Sequence, residues 1–103
     1  MQLGIVVTDE SYMPHAIGLL DAAHARGWQT LCFLTDTGVN LLAHEGCVER
    51  ARSKPNMVSL CEHSAEKHAA DRYDLQAYAD FVIVGGQYQN AELVQKCDRV
   101  LVL

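Results

Sequence analysis

The sequence predicts one α/β domain over residues 1–103, a five-stranded and mainly parallel sheet with helices on both faces in a flavodoxin-like three-layer arrangement. Three observations carry the prediction. Short runs such as Leu3–Val7 and Phe81–Val84 are continuously apolar and rich in β-branched residues, which suits strands covered on both faces. Between such runs the apolar residues recur at helical spacing, so strand and helix alternate along the chain. Finally, 103 residues suffice for one buried core and leave no room for a second.

Leu3 to Val7 is the first strand, followed by the polar loop Thr8-Asp9-Glu10-Ser11. From Met13 to Arg26 the positions Met13, Ile17, Leu20 and His24, with Ala16 and Ala23 beside them, mark a helix. Pro14 fits only in its first turn, and Gly27 is its C-terminal stop. Trp28 to Leu34 is the second strand, ended by Thr35-Asp36-Thr37-Gly38, after which Val39, Leu41 and Leu42 fit a short helix closed by Gly46. The charged stretch Cys47–Lys54, bounded by Pro55-Asn56, reads as an exposed connection. Met57–Leu60 is a third strand and Cys61 to Ala70 a third helix. Residues 71–80 hold Tyr73, Leu75 and Tyr78 among polar neighbours and fit either a helical turn or an irregular loop. Phe81–Val84 is the fourth strand, turned by Gly85-Gly86. Glu92–Lys96, led in by Gln89-Asn90, is a helix with Ala91, Val94 and Cys97 inward, and Arg99–Leu103 is the fifth strand.

Acidic residues outnumber Lys and Arg 13 to 8, a formal net charge of −5, and no basic run is present to neutralise a row of phosphates. Nucleic acid is therefore not an expected partner. The N-terminal Met-Gln-Leu-Gly-Ile-Val-Val lacks the basic segment of a signal peptide, and no apolar run approaches the roughly 20 residues that span a bilayer. A cytoplasmic protein with no membrane partner is expected. Its four cysteines are irregularly spaced and include no Cys-x-x-Cys, which favours reduced thiols over disulfides, a redox dithiol or a zinc ribbon.

In a parallel sheet, sites form beyond the carboxyl ends of the strands, here in the loops 8–13, 35–38, 61–64 and 85–89. Cys61 stands at that edge, where a third strand meets a helix start whose N–H groups and dipole favour the thiolate. His63, turned inward, would add positive charge or relay a proton, and Ser64 would donate a hydrogen bond, whereas Glu62 opposes the thiolate. The candidate catalytic set is Cys61, His63 and Ser64. The alternative is that Cys61 only packs, as most free cysteines do. Cys32, in mid-strand, and Cys97, ending the last helix, read as packing residues. Cys47, in the polar connection, is a candidate for thiol exchange with Cys61.

Zinc-type ligands are present in His44, Cys47, Cys61, His63 and His68, but their spacing is poor. Cys61 and His68 share a helix face about 10 Å apart along the axis, too far to share a metal. The histidines read as surface residues, and no metal is expected. Asp9, Glu10 and Asp36 follow the first two strands and would meet at the sheet edge, where they read as caps and turn residues ahead of a divalent-cation site. Tyr12, Tyr73, Tyr78 and Tyr88 are candidate contact residues.

Taken together, the stretch Ala23-His24-Ala25-Arg26-Gly27-Trp28-Gln29-Thr30 leading into Phe33-Leu34-Thr35-Asp36-Thr37-Gly38-Val39, a third strand Val58-Ser59-Leu60 ending in Cys61, and the closing Cys97-Asp98-Arg99-Val100-Leu101-Val102-Leu103 resemble the DsrE/DsrF-like sulfur-relay family. The resemblance covers nearly the whole chain. It implies a small α/β subunit that assembles with like subunits into trimers or hexamers and carries sulfane sulfur on one cysteine, matched here by Cys61. It further implies sulfur donor and acceptor proteins as partners and no cofactor. The alternative it leaves is a non-catalytic oligomerising or binding subunit of the same fold, with Cys61 structural.

Overall fold

The first strand, β1 (Gln2–Val7), is buried at every position after Gln2, and the chain is built outward from it. A computed structural model describing residues 1–103 places β1 between β2 (Gln29–Leu34) and β5 (Arg99–Val102), with β3 (Val58–Cys61) and β4 (Ile83–Gly85) beyond β2. All four pairings are parallel, and the order is β4-β3-β2-β1-β5. The layers are those expected, while the strand order differs from the flavodoxin order 2-1-3-4-5.

That order dictates the layers. The connections β1 to β2, β2 to β3 and β3 to β4 all step in one direction, so right-handed crossovers put their helices on one face; the return from β4 to β5 puts its helix on the other. Helices α1 (Met13–Ala25), α2 (Glu45–Ser53) and α3 (Glu62–His68) accordingly bury Ala16, Ala23, Val48, Ala51 and Ala65 against Leu3, Ile5, Val7, Leu34, Val58 and Leu60. On the opposite face α4 (Gln87–Lys96) stands alone, with Leu93 packed on Val6, Phe33 and Cys61.

Local chemistry explains the element ends. Gly27 takes φ 73°, and the N–H groups of Gly27 and Trp28 bond to the carbonyls of His24 and Ala23, the two closing bonds of a Schellman stop on α1. Pro14 sits in the first turn, where its missing N–H costs nothing. Gly38 is required by contact, since a Cβ there would run into the Val7 carbonyl.

Several boundaries depart from expectation. The stretch 47–54 is not an exposed connection: it forms most of α2 and buries Cys47, Val48 and Ala51. Four charged or polar neighbours mask this i, i+1, i+4 stripe, while Glu45 in the first turn and Arg50 and Arg52 in the last suit the helix dipole. The segment after β2 winds as a 3-10 helix, Asp36–Ala43, instead of a short α-helix. A 3-10 turn, Leu75–Tyr78, resolves the ambiguous stretch 71–80. Phe81 and Val82 are buried ahead of β4. Helix α4 starts at Gln87, five residues before the predicted start, because only Leu93 of its ten residues is buried and the remainder shows no apolar stripe. Ala91 and Val94, expected inward, are exposed, Val94 at 56 %, and Cys97 is half-buried. No helix is long and apolar enough to cross a membrane.

Candidate functional site

Cys61 is the last residue of β3 and the N-cap of α3, with an extended backbone at φ −81° and ψ 115°. Its parallel partner in β4 is Gly85, so no side chain stands beside it on that strand. The pleat turns Cys61 toward α4 and away from the three-helix face, into the cluster of Val6, Phe33 and Leu93. The residue is 8 % exposed.

Polar groups from three elements converge there. Ser64, at the third position of α3, faces back toward the N-cap as side chains at that position do, and is itself buried. Its Oγ accepts a hydrogen bond of 3.0 Å from the Asp36 N–H and lies 3.4 Å from the Thr35 Oγ1. Asp36 adopts the left-handed conformation, φ 49°, tolerated by Asp, as the chain turns out of β2. From α4 comes Gln87, an exposed residue whose Oε1 accepts from Asn90 Nδ2 at 3.1 Å.

These donors set the thiol's character. Burial raises the Cys61 pKa, but hydrogen bonds from the Ser64 hydroxyl, the Ser64 and His63 backbone N–H groups and the Gln87 side chain outweigh it and draw the thiol below its ordinary value. The other three cysteines go the opposite way. Burial pushes Cys32 up to about 12 and Cys47 up to about 11, and burial with the neighbouring Asp98 raises Cys97. All four are free thiols.

Of the predicted site residues, Cys61 and Ser64 come together. The His63 side chain, expected to turn inward, is exposed, as is Glu62. Cys47 does not join them: it lies in the core on the three-helix face with Cys32, whereas Cys61 faces α4. The exchange partnership is corrected by this burial, since the sheet stands between the two sulfurs. Nor do His44, Cys47, Cys61, His63 and His68 converge, and no group of three His, Cys, Asp or Glu side chains is placed to hold a metal ion.

The acids at the sheet edge have separate engagements. Asp9 accepts from the Ser11 N–H at 2.9 Å. Glu10 receives a two-pronged bond from Arg72, at 2.9 and 3.3 Å, and meets His44 Nε2 at 2.9 Å. Arg72 first and His44 second hold the Glu10 carboxyl down at about 2. Tyr73 and Tyr78 pack against one another, Tyr73 donating to the Val39 carbonyl at 2.7 Å, while Tyr12 and Tyr88 are exposed. A shallow groove of about 560 Å³ runs between α3 and residues 70–75, lined in part by Ala65, Ala69, Arg72 and Leu75, and does not include Cys61.

Thr35 and Gln87 are the participants that the sequence did not single out. Their loops, 35–38 and 85–89, were marked by position at the sheet edge; which side chain within each would face Cys61 depended on the path of the loop. In comparisons with known proteins, no family model matches the chain and no curated protein matches it.

Proposed function

We propose that this chain is a sulfur-relay subunit of the DsrE/DsrF-like kind, carrying sulfane sulfur as a persulfide on Cys61 and passing it to an acceptor thiol in the cytoplasm. The observation that carries the reading is that Cys61 alone among four cysteines sits at the carboxyl edge of the sheet among hydrogen-bond donors that favour its anion. The order of features along the chain, described above, supports the same reading.

The Cys61 thiolate attacks the outer sulfur of a donor persulfide R–S–SH. A Cys61–S bond to that sulfur forms as its bond to the donor sulfur breaks, giving Cys61–S–SH and the donor thiolate R–S⁻. An acceptor thiolate repeats the step on the Cys61 persulfide and releases the Cys61 thiolate. Atoms and electrons balance without an external oxidant or a cofactor. Ser64, the α3 backbone N–H groups and Gln87 favour the attacking and departing anions. The reading includes assembly with like subunits, supported by the exposed Val102 of the unpaired edge strand β5 and Val94 of α4.

One observation favours a second reading, a non-catalytic binding subunit: Cys61 is 8 % exposed and packs with Phe33 and Leu93. A single experiment separates the two. Reduced protein incubated with a sulfane donor and weighed should gain one sulfur, mapped to the Cys61 peptide and missing in Cys61→Ser. Unchanged mass with a competent donor, while Cys61 still alkylates, would favour the binding subunit.

A further inference from the structure

We propose that the groove between α3 and residues 70–75 is a docking surface for a partner protein, and that it takes a basic amphipathic segment, an apolar side chain flanked by lysine or arginine. The groove does not include Cys61, so the proposal goes beyond the sulfur-relay reading and stands without it.

The floor of the groove is apolar and fixed in place. Ala65 and Ala69, one turn apart at the end of α3, are buried, while Tyr73 and Leu75 are half-buried and packed against the core. The Ala69 N–H bonds to the Ala65 carbonyl at 2.8 Å and the Arg72 N–H to the Ala69 carbonyl at 3.0 Å, which ties the chain after α3 back onto the helix. Tyr73 is held by its bond of 2.7 Å to the Val39 carbonyl, and the Asp74 carboxylate accepts from the Gln76 N–H at 3.1 Å. A surface already ordered in the free protein lowers the cost of association. Its volume of about 560 Å³ is that of a binding site, and its open form, walled by α3 on one side and the 70–75 turn on the other, suits a chain segment laid across it.

The rim supplies the charge. Glu66, Asp71 and Asp74 line it, all three are exposed, and none is in an ion pair. Arg72 is the only cation of the lining, and both of its terminal nitrogens bond to the Glu10 carboxylate, at 3.3 and 2.9 Å. Lys67 and His68, the basic residues at the end of α3, lie outside the lining. The Glu10 clasp therefore neutralises the one cation and leaves three carboxylates above an apolar floor. Like-charge repulsion excludes phosphates and acidic segments from such a surface. A polyamine would satisfy the rim and leave the floor wet, whereas a basic amphipathic segment satisfies both.

Amide NMR titration with an amphipathic leucine–lysine peptide tests the proposal, with a leucine–glutamate peptide of the same pattern and spermine as comparisons. The lysine peptide should shift the amides of Glu66, Ala70, Asp71 and Asp74 saturably, and added salt should weaken it. The glutamate peptide should shift nothing, and spermine should bind at least about tenfold more weakly than the lysine peptide. Glu66→Lys should weaken the lysine peptide by about five- to tenfold, and Ala70→Tyr, which fills the groove without changing its charge, by at least as much. Glu49→Lys, the same charge reversal on α2, should leave binding within about twofold. All three substituted positions are exposed, and the spectra themselves show that each variant keeps the fold. Absence of any shift, shifts centred on another surface, spermine binding as tightly as the peptide, unchanged binding in Ala70→Tyr, or equal weakening by Glu49→Lys and Glu66→Lys would each overturn the proposal. Concentration-dependent shifts of the same amides in the protein alone would also overturn it, by assigning the groove to a second copy of the chain.

Discussion

Burial and neighbouring polar groups set the four thiols of this chain apart. Cys32 and Cys47 are apolar-packed thiols held near 12 and 11, so at pH 8 they are almost wholly protonated, whereas Cys61 lies below its ordinary value. Because the thiolate is the reacting form, Cys61 should alkylate at pH 8 at least about tenfold faster than either, read by peptide mass under native conditions. Equal rates would remove the physical basis of the relay reading. Glu10 makes a different prediction. Its folded-state pKa is depressed to about 2 from 4.5, so the stability it contributes is complete above about 4.5 and is lost as pH falls through about 2. The carboxylate is partly exposed, at 30 % of its side chain, so solvent screening keeps the contribution to no more than about 1 kcal/mol. Chemical denaturation should show Glu10→Gln less stable than the parent at pH 7, with the difference shrinking toward pH 2.

Among the elements, α4 has the smallest hold and the largest responsibility. It alone covers its face of the sheet, through Leu93, which packs on the residues that back Cys61. Leu93→Ala should cost about 2–5 kcal/mol of stability in denaturant titration, and should slow selective alkylation of Cys61 by loosening Gln87. The 3-10 segment Asp36–Ala43 is held instead by close approach of main chains. Gly38→Ala places a methyl against the Val7 carbonyl, where no flexible side chain can yield, and a loss of about 3 kcal/mol is expected by the same titration. Much of this level was legible in the sequence. The five strands, α1 with its Pro14 start and Gly27 stop, and the position of Cys61 at a strand-to-helix junction follow from local pattern and cap chemistry. Helix α2 was not, because Cys47, Val48 and Ala51 are three buried residues among charged ones, and α4 was half missed because a helix with one buried residue has almost no stripe.

For the molecule as a whole, the distribution of three helices on one face and one on the other leaves sheet uncovered. Five strands at about 4.8 Å spacing span about 19 Å, and one helix is about 10 Å across, so α4 cannot cover its face. Val102 at 68 % exposure and Leu101 at 41 % lie on the unpaired edge strand, with Val94 at 56 % on the helix. Under the proposed like-subunit assembly, sedimentation should give a species larger than the monomer, and Val102→Lys should shift it toward monomer with little change in unfolding midpoint. A monomer at all concentrations would count against assembly through this face.

Local pattern was enough to establish the α/β class, the number of strands, the single domain and the address of Cys61, because burial period, caps and breakers act over a few neighbouring residues. The site's composition was decided only by the tertiary structure. Ser64 and Asp36 are 28 positions apart in the chain, and they meet because β2 and β3 are adjacent and parallel, bringing their carboxyl ends to one edge. The separation of Cys47 from Cys61 has the same origin, since the pleat and the hand of the crossovers assign the two sulfurs to opposite faces, and neither can be read until the strand order is known.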